Sequence, residues 1–291
     1  MKSNYENIQL NNTDFWNLQT NLSICELRKV TTLIQERRED YKFKVNEILK
    51  NLTKNKKNDF YNCKNETTQQ FKNILTRCKI ESILQKELRH PAFLAFQYLG
   101  NPDILKKPLI AIIGSRKPTY YGRQQAYRFA SALAQAGYTI LSGGAIGIDA
   151  IANAVGLNHG SSCAVIGSGL KKLYPASNVK LFQDLAQSPQ GLLLSEFQSY
   201  EPPQKWNFPR RNLSIAALAD FVLVIEAGAT SGSLLTAQAA ADLGIDVGAI
   251  PGEVENTNSH GTNNLITNGA FCIQSPLDIV EIIKLNNKFK K

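Results

Sequence analysis

IAIIGSRKPTYYG, residues Ile110 to Gly122, decides the fold. Four apolar residues without polar alternation stop at a glycine, and a serine, two cations and two adjacent tyrosines follow before helix-forming residues begin. Such a run is the pattern of a strand buried on both faces, as in a parallel sheet. The same pattern recurs downstream. Leu109 to Ile113, Tyr138 to Leu141, Ser162 to Ile166, Leu192 to Ser195, Phe221 to Glu226, Val247 to Ile250 and Ala270 to Ile273 read as strands. Between them Arg123 to Ala136, Gly147 to Leu157, Val179 to Gln187, Arg211 to Ala219, Ser233 to Leu243 and Asn263 to Asn268 read as helices, with Gly137, Gly244 and Gly269 where a helix ends left-handed. Repeated strand–helix–strand units predict an α/β fold: an extended Rossmann-like, doubly wound, mostly parallel sheet that binds ligands at the carboxyl ends of its strands.

The first third of the chain has another character. Residues 1 to 107 carry 19 Lys and Arg against 12 Asp and Glu, whereas residues 108 to 291 carry 14 against 12. Leu22 to Leu52 and Thr67 to Leu88 show apolar spacings of three and four and read as amphipathic helices, joined by the polar connector Thr53 to Asn65. The expected organisation is a basic helical region over residues 1–90, the Rossmann-like domain over 91–286 and a basic tail over 287–291. Five cysteines without a CxxC pair fit free, mostly buried thiols in a reducing compartment. The polar N-terminus lacks a secretory core and no apolar run is long enough to span a bilayer, so a soluble cytoplasmic protein is expected.

The strand-end loops carry the chemistry. After the first strand, Gly114 permits a tight turn, Ser115 offers a hydroxyl and Arg116 a fork of donors for a phosphodiester, unless Arg116 pairs with Glu196 or Glu226. Lys117 has no role that exposure alone does not explain, and the position of Tyr120 and Tyr121 just before a helix favours packing against it. After the second strand, Gly143 and Gly144 let backbone N–H groups approach a ligand, or else serve tight packing, with Asp149 in the first helical turn. Ser231, Gly232 and Ser233 form a phosphate-binding helix start or an ordinary N-cap. Two further loops interleave cations with rings. One holds Lys171, Lys172, Tyr174 and Asn178, the other Lys205, Trp206, Phe208, Arg210, Arg211 and Asn212. That mixture suits a single nucleic-acid strand, whose phosphates follow the cations and whose bases stack on the rings, the competing reading being a solvated lysine pair with Trp206 or Phe208 packed into a core.

Cofactor and catalytic chemistry find little support. Neither G-x-G-x-x-G nor G-x-x-x-x-G-K-[ST] occurs, so no nucleotide cofactor is expected. His90, His159 and His260 are dispersed, without metal-ligand spacing, and no G-x-S-x-G nucleophile motif is present. Glu226 ends a strand facing the site, where it is a lone base or, more in keeping with its surroundings, an acceptor for Arg116 or loop N–H groups.

Taken together, IAIIGSRKPTYYG, LSGGAIGIDAIAN (Leu141 to Asn153), GSGLKKLYPASN (Gly167 to Asn178), LLSEF (Leu193 to Phe197), NFPRRN (Asn207 to Asn212), LVIEAGATSGSLLTAQAAADLG (Leu223 to Gly244), IPGEV (Ile250 to Val254) and GTNNLITNGA (Gly261 to Ala270) resemble the DNA-processing protein A, or Smf, family of bacterial recombination mediators. The resemblance implies a non-enzymatic protein that binds single-stranded DNA, forms a homodimer, and loads the RecA recombinase in natural transformation and recombination. Its DNA-binding positions would include Arg116, Lys171 to Asn178 and Phe208 to Asn212. Its dimer surface would lie around Leu265 and Ile266. Where the family often has cations, this chain has Leu213 and Ala176. A glycine-bearing helix-hairpin-helix signature is missing from the N-terminal third, and no winged-helix tail is expected after Lys284. His90 to Ile104 fits the family's lead-in strand. The competing resemblance is to lysine-decarboxylase-like nucleotide hydrolases, whose PGG-x-GT-x-x-E motif is replaced here by EAGATSGSLLTA.

Overall fold

The computed structural model describes residues 73–88 and 95–289. The helix expected over Leu22 to Leu52 and the connector Thr53 to Asn65 lie outside them. The described chain runs β1 (Ile74–Thr76), α1 (Arg77–Leu84), β2 (Ala95–Gly100), a short 3-10 turn (Pro102–Lys106), β3 (Leu109–Ile113), α2 (Tyr120–Gln135), β4 (Thr139–Ser142) and α3 (Ile148–His159). It continues through β5 (Ser161–Ile166), α4 (Val179–Gln187), β6 (Gly191–Ser195), α5 (Asn207–Leu218), β7 (Phe221–Val224) and α6 (Gly232–Asp242). The closing elements are β8 (Asp246–Ala249), α7 (His260–Thr267), β9 (Phe271–Cys272) and α8 (Pro276–Phe289).

The nine strands of the described residues form one sheet in the order β1-β2-β6-β5-β4-β3-β7-β8-β9. From β6 to β9 every pairing is parallel, as the unalternated strands require, whereas β2 runs antiparallel to both β1 and β6. Residues of α2, α3 and α8 form an apolar layer on one face, which α4 extends, while α1, α5, α6 and α7 contribute to the core on the other. From β3 the chain winds outward to β6, then returns to start β7 on β3's other side. The order therefore reverses between β3 and β7, where an open α/β sheet leaves a crevice at its carboxyl edge.

Three local readings change. Thr67 to Leu88 is not one helix, because Ile74–Thr76 pairs antiparallel with Ala95–Gln97 and covers the otherwise open edge of β2. The strands on either side of the expected boundary at residue 90 therefore pair with each other. α5 starts at Asn207, four residues ahead of the expected helix, because Pro209 sits in its first turn, where a missing N–H leaves no intrahelical bond unmade. α8, absent from the sequence reading, buries Ile279 and Ile283. Gly137, Gly244 and Gly269 do carry positive φ, at 92°, 67° and 97°. Cys163 is buried but Cys272 is exposed, a departure from the expected burial.

Candidate nucleic-acid interface

The loops after β3, β4, β5, β6 and β7 converge on the carboxyl edge around two adjoining hollows. The larger, of about 600 Å³, opens at the β3/β7 reversal, between Gly114–Lys117 on one side and Gly228–Ser233 on the other. The smaller, of about 60 Å³, lies over the β4 and β5 loops and includes Gly143, Gly144 and Tyr174 in its lining. Arg116, Ala145, Phe208 and Arg211 line both hollows and form the ridge between them.

That ridge is the best-formed part of the site. The Arg116 guanidinium stands 5.8 Å from the centre of the Phe208 ring, and Phe208 lies 6.0 Å from the ring of Tyr174. Arg116 is exposed and Tyr174 is 47% exposed, so this cation–ring–ring row faces outward. The ion pair that could have retired Arg116 is not formed. Glu196 instead accepts from Arg210 Nε at 3.0 Å and from the Ser214 hydroxyl, and Glu226 accepts from the Thr119 N–H at 2.9 Å and the Thr119 hydroxyl.

Several expected contact residues are committed within the fold. Arg210 joins the buried Glu196 and lies 5.6 Å from the Phe197 ring centre, so it braces α5 against the end of β6. Glu226 is 1% exposed and tethers the start of α2 to β7, which removes it as a free base. Asn178 donates to the carbonyls of Gly144 and Ala145 at 2.9 and 3.1 Å and so pins the β4 loop. Lys171 and Lys172 are exposed on the β5 loop, but line neither hollow. Ser231 caps α6 through the Ser233 N–H and also meets the Ser233 hydroxyl at 2.7 Å, while Gly232 beside them has open space where a Cβ would stand. Asn212 lines the larger hollow near Gly232, and Asn258, which sequence reasoning missed, reaches it from the loop after β8. An asparagine-rich turn gives no sign that it will meet the β3 loop, yet Asn258 Nδ2 donates to the Lys117 carbonyl at 3.3 Å.

The two glycines of the β4 loop serve the protein itself. A Cβ on Gly143 would collide with the Arg211 guanidinium and stand 2.7 Å from Asp149 Oδ2, so only glycine leaves room for this pair. The Gly143 N–H donates to Asp149 at 3.2 Å and is not free for a ligand. Gly144 has φ +64°, and a side chain there would strike Phe182. Arg211 is 4% exposed, donates from Nη1 to the Val165 carbonyl at 3.1 Å and, among the described residues, has no partner for Nε. Burial raises the Asp149 carboxyl above its ordinary range, against the opposing pull of Arg211 and the N–H groups of Ala145, Gly143 and Gly114.

Tyr120 corrects the packing expectation: it is 77% exposed at the first turn of α2. Tyr121 is also exposed, at 41%, and its hydroxyl donates to the Pro251 carbonyl at 3.1 Å. Leu265 and Ile266 are half-buried on α7, packed on the core of their own chain.

Fold and site together define an extended Rossmann-like protein whose strand-end site presents cations and aromatic rings in place of a dinucleotide fingerprint. The sequence model of the family described as DNA recombination-mediator protein A matches residues 79–284, and the chain belongs to that family. It is 42% identical over 173 residues to Protein Smf of Escherichia coli, covering 59% of this chain and 46% of that one. Against DNA processing protein DprA of Streptococcus pneumoniae it is 41% identical over 184 residues, covering 63% of this chain and 64% of the relative. Its alignments thus span about half to two thirds of the length of these curated relatives. The solved structure of the S. pneumoniae protein superposes with a TM-score of 0.68 at 34% identity, over 74% of this chain and 76% of that one. DNA processing protein A of Helicobacter pylori, whose structure is described as giving insight into its unique single-stranded DNA binding mode, superposes with a TM-score of 0.61 at 31% identity, over 72% and 93%. Among the described residues, no helix is long and apolar enough to cross a membrane.

Proposed function

We propose that this DNA-processing family member binds single-stranded DNA along the carboxyl edge of its sheet, acts as a homodimer, and loads a RecA recombinase onto the bound strand in recombination and natural transformation. The observation that carries the DNA reading is the row Arg116–Phe208–Tyr174: an exposed guanidinium without an acidic partner among the described residues, set beside two rings on a ridge between two hollows. Phosphates meet Arg116 and the N-terminus of α6, and unpaired bases stack on the rings, a contact worth about 1–3 kcal/mol per base. The single-strand binding named for the H. pylori relative supports the choice of ligand. Leu265 and Ile266 belong to the α7 region proposed for self-association, next to the short edge strand β9 with its exposed Phe271 and Cys272.

Arg116→Ala is expected to weaken binding of oligothymidylate and to reduce the slope of log affinity against log salt by about 0.7, the value of one phosphate contact on a single strand. Phe208→Ala is expected to lose affinity with no change of slope. Fluorescence anisotropy titrations over a salt series measure both. Unchanged affinity and slope for Arg116→Ala would take the ridge out of the site.

A further inference from the structure

The outward face of α2 is a second surface of the same chemical kind. Tyr120, Arg123, Gln124, Tyr127 and Arg128 are all exposed, at helical spacings of three and four, while Ala126, Phe129, Ala130 and Leu133 turn inward to the core. Tyr120 and Tyr127 are 77% and 53% exposed, and Tyr127 meets the His159 ring edge-on at 5.9 Å. No acidic residue occurs anywhere in α2. Neither Arg123 nor Arg128 forms an ion pair among the described residues: Arg123 Nε donates weakly to the Pro118 carbonyl at 3.4 Å, and Arg128 lies 5.6 Å from the Phe129 ring centre. The helix starts four residues after Arg116, with the exposed Lys117 between them, and its N-terminus is fixed at the site edge because Thr119 bonds Glu226 at the end of β7. From Tyr120 to Arg128 the stripe is about 12 Å long at 1.5 Å per residue.

We propose that this α2 stripe is a continuation of the DNA path: a single strand leaving the Arg116 ridge runs down the helix, its phosphates on Arg123 and Arg128 and its unpaired bases against Tyr120 and Tyr127. Charge selects a polyanion, and exposed rings alternating with cations select an unpaired strand over a duplex, whose bases are already stacked. The continuity with Arg116 and Lys117 selects the strand already bound there over a separate partner. At a rise of about 3.4 Å per nucleotide the stripe adds roughly two to four nucleotides to the footprint.

The inference rests on the strand-end site, so its test separates the two. Oligothymidylates of about 6 and about 20 nucleotides, shorter and longer than one site, are titrated against the full chain. Arg123→Gln/Arg128→Gln is expected to lower the salt slope for the long strand by about 1.4, two contacts at roughly 0.7 each, and to leave the short strand unchanged. Tyr120→Ala/Tyr127→Ala is expected to weaken the long strand about tenfold without altering its slope, again sparing the short one. Wild-type affinity and slope for the long strand in both variants would overturn the stripe while short-strand binding still upholds the ridge. So would a change of sedimentation behaviour in place of DNA affinity, which would mark the face as a protein contact. Failure of the wild-type protein to bind either length would overturn both readings.

Discussion

Asp149 is a carboxylate beneath a site that attracts phosphates, and point-charge electrostatics alone makes it a liability. Its surroundings give it a different role. It accepts from the Gly143 and Ala145 N–H groups and lies by the bare Cα of Gly143 together with Arg211, so its charge acts on a buried guanidinium that lines both hollows. Asp149→Asn preserves shape and removes a negative charge, so simple repulsion predicts tighter DNA binding. Positioning through charge predicts the opposite, a loss of roughly tenfold, the scale of one close charge interaction at a partly screened site. Tighter or equal binding in the Asn variant would reduce Asp149 to a bystander. The same pair gives a pH signature. Burial raises the Asp149 carboxyl, so on acidification its proton returns above the ordinary carboxylate value of about 4, and wild-type affinity for oligothymidylate is expected to fall through that window. Glu196, which also faces Arg211, remains in the variant. A flat profile for Asp149→Asn beside a falling wild-type profile isolates the group. At this scale the sequence was legible for residue type but not for partnership. Arg116 and Phe208 announce themselves by chemistry, whereas Arg210 looks equally suited to DNA until the fold sets Glu196 beside it.

At the level of elements, the start of α2 governs how the first strand-end loop is held. Thr119 is its N-cap, accepting from the Gly122 N–H at 3.1 Å, and both the N–H and hydroxyl of Thr119 donate to the buried Glu226. Gly122 has no room for a side chain there, because a Cβ would press on the Glu226 carboxylate. Thr119→Ala removes a cap worth about 1 kcal/mol and also deprives a buried carboxylate of a donor, for a combined loss of about 2–3 kcal/mol. Thermal denaturation is expected to register this as a fall in Tm of several degrees, and an unchanged Tm would show the cap to be dispensable. Most elements could be read in advance because burial on both faces writes an unbroken apolar run into each central strand. The exceptions have physical causes. Ile74–Thr76 obeys a helical spacing but takes the open edge of β2, a long-range pairing that periodicity cannot report. In α5, the apparent helix breaker Pro209 sits where a helix tolerates it. The apolar spacing of Ile279, Val280 and Ile283 was a usable signal for α8.

For the molecule as a whole, net charge and site location point to different ends of the chain. Residues 1–72, outside the described residues, carry 13 Lys and Arg against 9 Asp and Glu, a larger excess per residue than the sheet-bearing remainder. If diffuse charge governed affinity, DNA would favour that segment. The ridge places the contacts instead on a few cations whose neighbours are rings and whose carboxylate competitors are already satisfied, and local geometry of that kind outweighs a dispersed excess once salt screens charges beyond about 10 Å. Removing residues 1–72 leaves β1 and everything after it, as well as the whole span matched by the family. The truncated chain is expected to bind a short oligothymidylate within about twofold of the full chain and with the same salt slope, since no phosphate contact has been lost. Circular dichroism and thermal melting establish first that the sheet is intact. A slope reduced by two or more units in a folded truncation would move the principal DNA contact to the N-terminal cations. An unchanged slope that still falls by about 0.7 on Arg116→Ala within the truncated chain would keep it at the carboxyl edge of the sheet.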